Sequence, residues 1–278
     1  MVRQQSIEAL DTQTKGRAGD KKQSIFNALV DPALPPQERT VDRLTEEGMI
    51  VLGAGAETTA NTLTLGAYHL IRNRSVLLKL RDELEKTVMP HHNSHPRWSD
   101  LEQLPYLTAV ISETLRLAIG GSWRIPRVAT QETLICNGIE LPAGTPLISS
   151  SWFVHMNSDI FPNPMKFDPE RWIIAAERGE HLSKYLTNFS KGTRNCLGIK
   201  YVSPLYNLPS NTRIILIAPY SLAYAELYIV IARFAREFDM ELYNTTDADL
   251  AYDRDYAVWH SNKGPWSARV HVTGALND

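Results

Sequence analysis

The stretch from Val41 to Arg72, VDRLTEEGMIVLGAGAETTANTLTLGAYHLIR, constrains the fold most. It contains no proline, repeats apolar residues at helical spacing, and predicts one long helix. Thr40 stands where an N-cap belongs, with acids in the first turns. A second helix is expected over 76–88, capped by Ser75, with Val76, Leu77, Leu80 and Leu84 on one face. Ser99 and Glu102 have capping-box spacing, with Trp98 ahead as a staple. After Pro105, Leu107, Val110, Ile111 and Leu115 again follow a helical period. The character changes over 127–151, where strand-like runs are separated by Asn-Gly and Pro-Ala-Gly and predict short hairpins. Helix returns over 222–238, and RVHVTG reads as a closing strand. The fold class is mainly α with a minor β part.

A chain of 278 residues suits one large domain or two ordinary ones, and 43% hydrophobic residues are enough for a sizeable core. A net charge of −2 without a basic cluster argues against a nucleic-acid partner. Two cysteines, Cys136 and Cys196, cannot build a disulfide framework, so a reducing compartment is expected. The polar amino terminus shows neither a signal core nor an anchor, so the chain reads as soluble. Residues 1–40 read as a frayed end followed by a proline-rich loop over 31–39. Residues 214–235 imitate a membrane span, but Pro219, Glu226 and Arg233 are costly in a lipid-facing helix. A buried helix with something irregular before it is the expectation.

Four constellations carry chemistry. In the middle of the long helix, AGAETT places Glu57 and Thr58 beside Gly53 and Gly55. Glycine inside a helix costs about 1 kcal/mol relative to alanine, so a close approach to the backbone is expected there. An acid and an alcohol beside a groove suit proton delivery, and close packing on a neighbouring helix is the other reading. Glu113 and Arg116, in ETLR, share a helix face at i, i+3, a spacing that most often gives a solvated pair of little worth. FDPERW sets Glu170 and Arg171 among prolines and aromatics, as at a buried anchor. If Arg171 reached Glu113, the two signals would become one network. NFSKGTRNCLGIK holds Cys196 in a loop with Lys191 and Arg194 before it and glycines at 192 and 198. A lone thiolate serves zinc and iron–sulfur clusters poorly, whereas haem iron needs one proximal protein ligand. A buried structural cysteine and a nucleophilic thiol remain alternatives, although no histidine lies within the loop to act as a base. The histidines of HHNSH, 91–95, read as a solvated loop, and Cys136 as structural or inert.

In this order the four motifs resemble the carboxyl-terminal half of a cytochrome P450. The wording around them is similar to filamentous-fungal members of secondary metabolism. The family pattern Phe-x-x-Gly-x-Arg-x-Cys-x-Gly is met by Phe189, Gly192, Arg194, Cys196 and Gly198. The resemblance implies a haem b cofactor with Cys196 as the axial thiolate, Phe189 packed near the sulfur, and Gly192 turning the loop. Arg194 and Arg127 would meet the propionates. Thr58 would hydrogen-bond bound dioxygen, and Glu57 would help relay protons to it. Glu113, Arg116 and Arg171 would form a structural network behind the haem. It further implies a small apolar substrate of terpenoid or polyketide type and electrons from an NADPH-cytochrome P450 reductase, since the chain has no GxGxxG loop of its own. In the family the enzyme associates with the cytoplasmic face of the endoplasmic reticulum.

Two departures stand out. Family members are about twice as long, so the half carrying the anchor and most substrate loops is expected to be absent, by truncation or a misjudged start codon. The family helix also continues straight from the cysteine loop, whereas residues 200–221 intervene here with prolines at 204, 209 and 219. These residues read as a translated intron. Lys-Tyr-Val can be encoded AAG-TAT-GTN, containing GTATGT, and Tyr-Ser can be encoded TAC-AGC, containing CAG. Joining the flanks leaves one asparagine and gives CLGINLAYAEL. A genuine surface insertion is the other reading. Three functions stay open: a haem-thiolate monooxygenase, a redox-neutral haem-thiolate isomerase, and a truncated or mis-spliced remnant without catalysis.

Overall fold

A computed structural model describes residues 1–14, 26, 29–91, 94–199 and 222–275. The described chain falls into two compact units: Met1–Glu57 with Leu197–Ala223, and Thr58–Cys196 with Tyr224–Asp278.

In the first unit α1 (Val2–Thr14) is a helix where the sequence predicts a frayed end. Its apolar edge explains the difference: Val2 and Ser6 are buried, together with Phe26, Val30 and Leu44. Gly48 of α2 (Val41–Arg72) lets α1 approach, since a Cβ there would stand 2.8 Å from Val2 Cγ1 and 3.0 Å from Phe26 Cε1. Arg3 Nη1 reaches Asp42 Oδ1 at 2.5 Å. The Thr40 hydroxyl accepts from Arg43 N at 3.2 Å, which makes Thr40 the cap of α2.

In the second unit the carboxyl-terminal part of α2 packs with α3 (Arg74–Thr87), α5 (Pro105–Ala118) and α8 (Leu222–Glu237) in one core, through Leu65, Leu77, Leu80, Leu84, Leu107, Ile111 and Ile231. Ser75 does not cap α3. A single residue, Asn73, separates the two helices, and its carbonyl already accepts from Val76 N and Leu77 N, so α3 starts before Ser75. The short α4 (Trp98–Leu101) likewise begins two residues earlier than Ser99–Glu102 spacing implies, with the Asp100 carboxylate accepting from Arg97 N at 3.2 Å. Gly66 faces α5, where a Cβ would meet Thr114 Cγ2 at 3.0 Å.

The β part consists of small antiparallel sheets. Strand β1 (Arg127–Val128) pairs with β4 (Pro146–Leu147), and β2 (Leu134–Cys136) pairs with β3 (Ile139–Leu141). The Asn137–Gly138 turn of the second hairpin has both φ angles positive, 49° and 80°. Strand β5 (Phe238–Leu242) pairs with β9 (Val270–Ala275), and β6 (Arg254–Asp255), β7 (Trp259–Ser261) and β8 (Gly264–Pro265) form the remaining sheet. Between the hairpins and β5 lie α6 (Ser151–His155) and α7 (Glu170–Glu177), the latter starting directly after Pro169. Residues 200–221, with their irregular composition, lie outside the described residues. Among the described residues no helix is long and apolar enough to cross a membrane.

Candidate functional site

Glu113 is the centre of the second unit's polar interior. Its Oε1 accepts from Arg116 Nη2 at 2.8 Å, Asp168 N at 2.9 Å and Arg171 Nε at 3.1 Å. Its Oε2 accepts from Arg116 Nε and the Trp172 indole, both at 2.9 Å. Glu113 and Arg116 are both 0% exposed and Arg171 reaches Glu113, so the three charges form one network and not the solvated pair that i, i+3 spacing alone most often gives. The helix offers one turn of spacing, and the FDPERW segment wraps over it and removes the water. The remaining guanidinium donors are met by backbone: Arg116 Nη1 by the His155 carbonyl at 2.9 Å and Arg171 Nη1 by the Pro162 carbonyl at 2.9 Å. A buried carboxylate with five donors, facing two guanidiniums whose own protons are placed, satisfies what low dielectric demands of buried charge. Glu170, the other charge of the motif, points outward and pairs with Lys79 at 2.7 Å.

The cysteine loop lies against the end of the same helix. The Asn188 side-chain amide donates to the Leu115 carbonyl at 2.6 Å. Gly120, at φ 72°, makes room, since a Cβ there would stand 3.0 Å from the Asn188 oxygen. The loop then turns through Ser190 (φ 59°) and Gly192 (φ 83°), so glycine at 192 answers a left-handed backbone. Cys196 N–H closes the turn by donating to the Phe189 carbonyl at 2.8 Å. The Phe189 ring packs inward, 5.3 Å from Tyr224, whose hydroxyl burial pushes up to about 12. The Cys196 thiol itself is exposed, which removes the reading of a buried structural cysteine. Cys136 is exposed as well, at the tip of the β2–β3 hairpin, so it has no buried structural role either.

Arg127 comes to this loop from β1, its Nη2 donating to Ser190 Oγ at 3.1 Å. Arg194 is exposed within the loop. Beside Arg127 in the chain, Ile125 and Val128 stand 54% and 48% exposed. Next to the thiol the Asn195 side-chain oxygen is buried without a hydrogen-bond partner. Among the described residues no group of three His, Cys, Asp or Glu side chains could hold a metal ion by itself. A single soft thiol, with Arg194 in its loop and Arg127 bonded to that loop, suits haem, and suits zinc poorly.

Glu57 and Thr58 are consecutive residues of α2, Glu57 in the first unit and Thr58 in the second. Glu57 is exposed and Thr58 half-buried. Among the described residues nothing lies within 4 Å of where a Cβ would stand at Gly53 or Gly55. One turn on, the Thr62 hydroxyl donates to the Thr58 carbonyl at 2.9 Å.

Two histidines outside the motifs are neutral. Burial takes His155 down to about 4, and does the same to His69, which stacks on Phe167 at 4.7 Å. His69 lines a cleft of about 610 Å³ with Tyr68, Arg72, Asp247 and Tyr252, away from the cysteine loop. No pattern in the sequence flagged either histidine, because each is defined by partners far along the chain.

A sequence model of the family described as Cytochrome P450 matches residues 9–200. Cytochrome P450 monooxygenase aflU of Aspergillus parasiticus is 40% identical over 267 residues, covering 96% of this chain and 49% of its own length. Cytochrome P450 monooxygenase TRI4 of Trichoderma arundinaceum is 41% identical over 268 residues, 95% of this chain and 48% of its own. Conidiogenone synthase PchP450 of Penicillium rubens is 41% identical over 273 residues, 98% and 49%. The chain thus spans about half the length of the curated relatives it matches.

Proposed function

This chain belongs to the cytochrome P450 family, and on that premise we propose that it provides the haem-holding half of a monooxygenase. The reaction class is insertion of one oxygen atom of dioxygen into a small apolar molecule, with electrons from an NADPH-dependent flavoprotein reductase. Haem, when bound, supplies the oxygen chemistry.

The chain's own residues divide the remaining work. Cys196 would offer its sulfur to the haem iron from the end of a backbone turn that its own N–H closes. Arg127 and Arg194 supply cations for the propionates, and Arg127 is already held on the loop by Ser190. Glu57 and Thr58 supply a carboxyl and a hydroxyl for proton delivery at the substrate side. Glu113, Arg116 and Arg171 fix the frame from which the loop is hung. The intact acid–alcohol pair favours oxygen insertion over redox-neutral isomerisation, which needs no proton relay.

The observation that carries this reading is the exposed Cys196 thiol on a pinned loop with Arg127 beside it. The test is the Soret band of the reduced, haem-loaded protein under carbon monoxide. A strongly red-shifted thiolate-type band is expected, and Cys196→Ala should abolish it. A band that survives Cys196→Ala would assign the iron to another ligand and end the proposal. In the active protein Thr58→Ala should lower product formation and raise peroxide leakage. Unchanged coupling of NADPH consumption to product would remove Thr58 from the relay.

A further inference from the structure

The base of the cysteine loop rests on a histidine that belongs to none of the four motifs. His155 closes α6 and is 0% exposed. Its Nε2 lies 3.0 Å from Thr187 N and 3.3 Å from Thr187 Oγ1, and its Nδ1 lies 3.0 Å from the Arg116 carbonyl. A backbone N–H can only donate, so Nε2 accepts and the ring proton stands on Nδ1, facing Arg116 O. The last carbonyls of a helix lack intrahelical partners. Here side chains meet Arg116 O (His155, 3.0 Å) and Leu117 O (Tyr252, 2.6 Å), and Asn188 adds a second donor at 2.6 Å to Leu115 O, which already accepts from Ile119 N. Two of those contacts lead into the cysteine loop. Thr187 O accepts from Ser190 N at 2.9 Å, and Phe189 O accepts from Cys196 N at 2.8 Å.

We propose that His155 is a positioning residue, a neutral imidazole that fastens the first residue of the cysteine loop to the end of α5 and so sets where the Cys196 thiol stands. Its relevance to haem rests on the function proposed above, whereas its hold on the loop does not. Two variants separate the roles. His155→Phe keeps the ring and removes both hydrogen bonds. His155→Gln keeps one donor and one acceptor.

Amide hydrogen exchange of the peptide covering Thr187 and Cys196 reads the loop directly and needs no haem. Losing one or two net hydrogen bonds should speed its exchange on the order of tenfold in His155→Phe, while α3 peptides keep their rate. His155→Gln should exchange as the parent does. Unchanged exchange in the Phe variant overturns the proposal, as does a rise spread equally over α3. If the Phe variant does not fold, the Gln variant decides, and fast exchange confined to this peptide there overturns it. In haem-loaded protein the Phe variant should lose part of the thiolate-type carbon monoxide band, and the Gln variant should restore it. A parent protein without that band defeats the Cys196 assignment and leaves the exchange result to judge His155.

A different observation carries a second proposal. The family match stops at residue 200, yet relatives align over as many as 274 residues and therefore on both sides of that point. Helix α8 starts at Leu222 and buries Leu227, Tyr228, Ile231, Ala232 and Ala235. With a single residue in place of 200–221, Ile199 falls seven positions before Leu227 and Cys196 seven before Tyr224. Two helical turns put Ile199 on the stripe that α8 already buries.

We infer that residues 200–221 are translated from an unspliced intron and that the joined chain reads Ile199, asparagine, Leu222. Besides the donor and acceptor codons, Ser210–Asn211 can be encoded TCT-AAC, which contains the branch sequence CTAAC. The excised piece is a whole number of codons, so the reading frame is kept. The inference is independent of what Cys196 binds. Sequencing the transcript across codons 199–222 should give a product shortened by twenty-one codons with AAC at the junction. Transcripts that all retain the segment would overturn it. So would genomic codons at 200 and 221 that cannot form GT and AG.

Discussion

The interior around Glu113 and the loop around Cys196 lie a few residues from the same helix end and differ in almost every physical respect. The Glu113 side chain is 0% exposed and receives five hydrogen bonds, so its geometry is over-determined. The Cys196 thiol is exposed, and its loop is held through its backbone and its base. One region therefore contributes to stability and the other is left free to meet a ligand. Residues that build the frame and residues that take part in chemistry should separate cleanly when mutated.

The largest effect is expected from Glu113→Ala. Removing one partner of a buried ionic cluster strands two guanidiniums and an indole N–H, a cost of about 3–5 kcal/mol. Urea denaturation should show a large loss of stability or no folded protein. A variant that unfolds at the parent's midpoint would break the contrast drawn here.

Acid should come next. Unfolded histidine takes up its proton near 6.5, while burial holds folded His155 neutral down to about 4. Between those values the unfolded chain binds more protons, so stability falls as pH drops through that window and levels off below it. The size is on the order of 3 kcal/mol for His155, and His69 acts in the same direction. A protonated His155 would also lose its acceptor for Thr187 N–H and face the Arg116 guanidinium, so the cysteine loop should loosen in the same range. His155→Gln should flatten that part of the curve, and an unaltered pH profile would contradict the assignment.

Trp172→Phe is a smaller probe of the same interior. It removes one donor to Glu113 and keeps an aromatic ring, for an expected loss of about 1 kcal/mol. Cys196→Ala and Arg127→Ala should sit at the other extreme, within about 0.5 kcal/mol of the parent in stability, because both side chains are exposed. Haem retention should nevertheless be lost in the first and weakened in the second. Equal losses of stability in Glu113→Ala and Cys196→Ala would erase the division between frame and site.

The long helix and the hairpin at Asn137–Gly138 were legible because their signals are local: period and turn residues. The four motifs were legible for the same reason, each lying within a few consecutive residues. The amino-terminal helix was misread because its own sequence is polar, and the contact that orders it, Gly48 against Val2, is far along the chain. Ser75 was misread as a cap because spacing alone does not show that Asn73 is all that separates two helices.

Sequence alone determined the family and the order of the motifs, since these depend on residue types at fixed short intervals. Tertiary structure decided that Glu113 and Arg116 are buried, that Arg171 and Trp172 join them, and that His155 carries the base of the cysteine loop. Those facts depend on which distant segments exclude water from a charge or meet an orphaned carbonyl. Desolvation and hydrogen-bond partnership are properties of assembled surroundings, which no short stretch of chain contains.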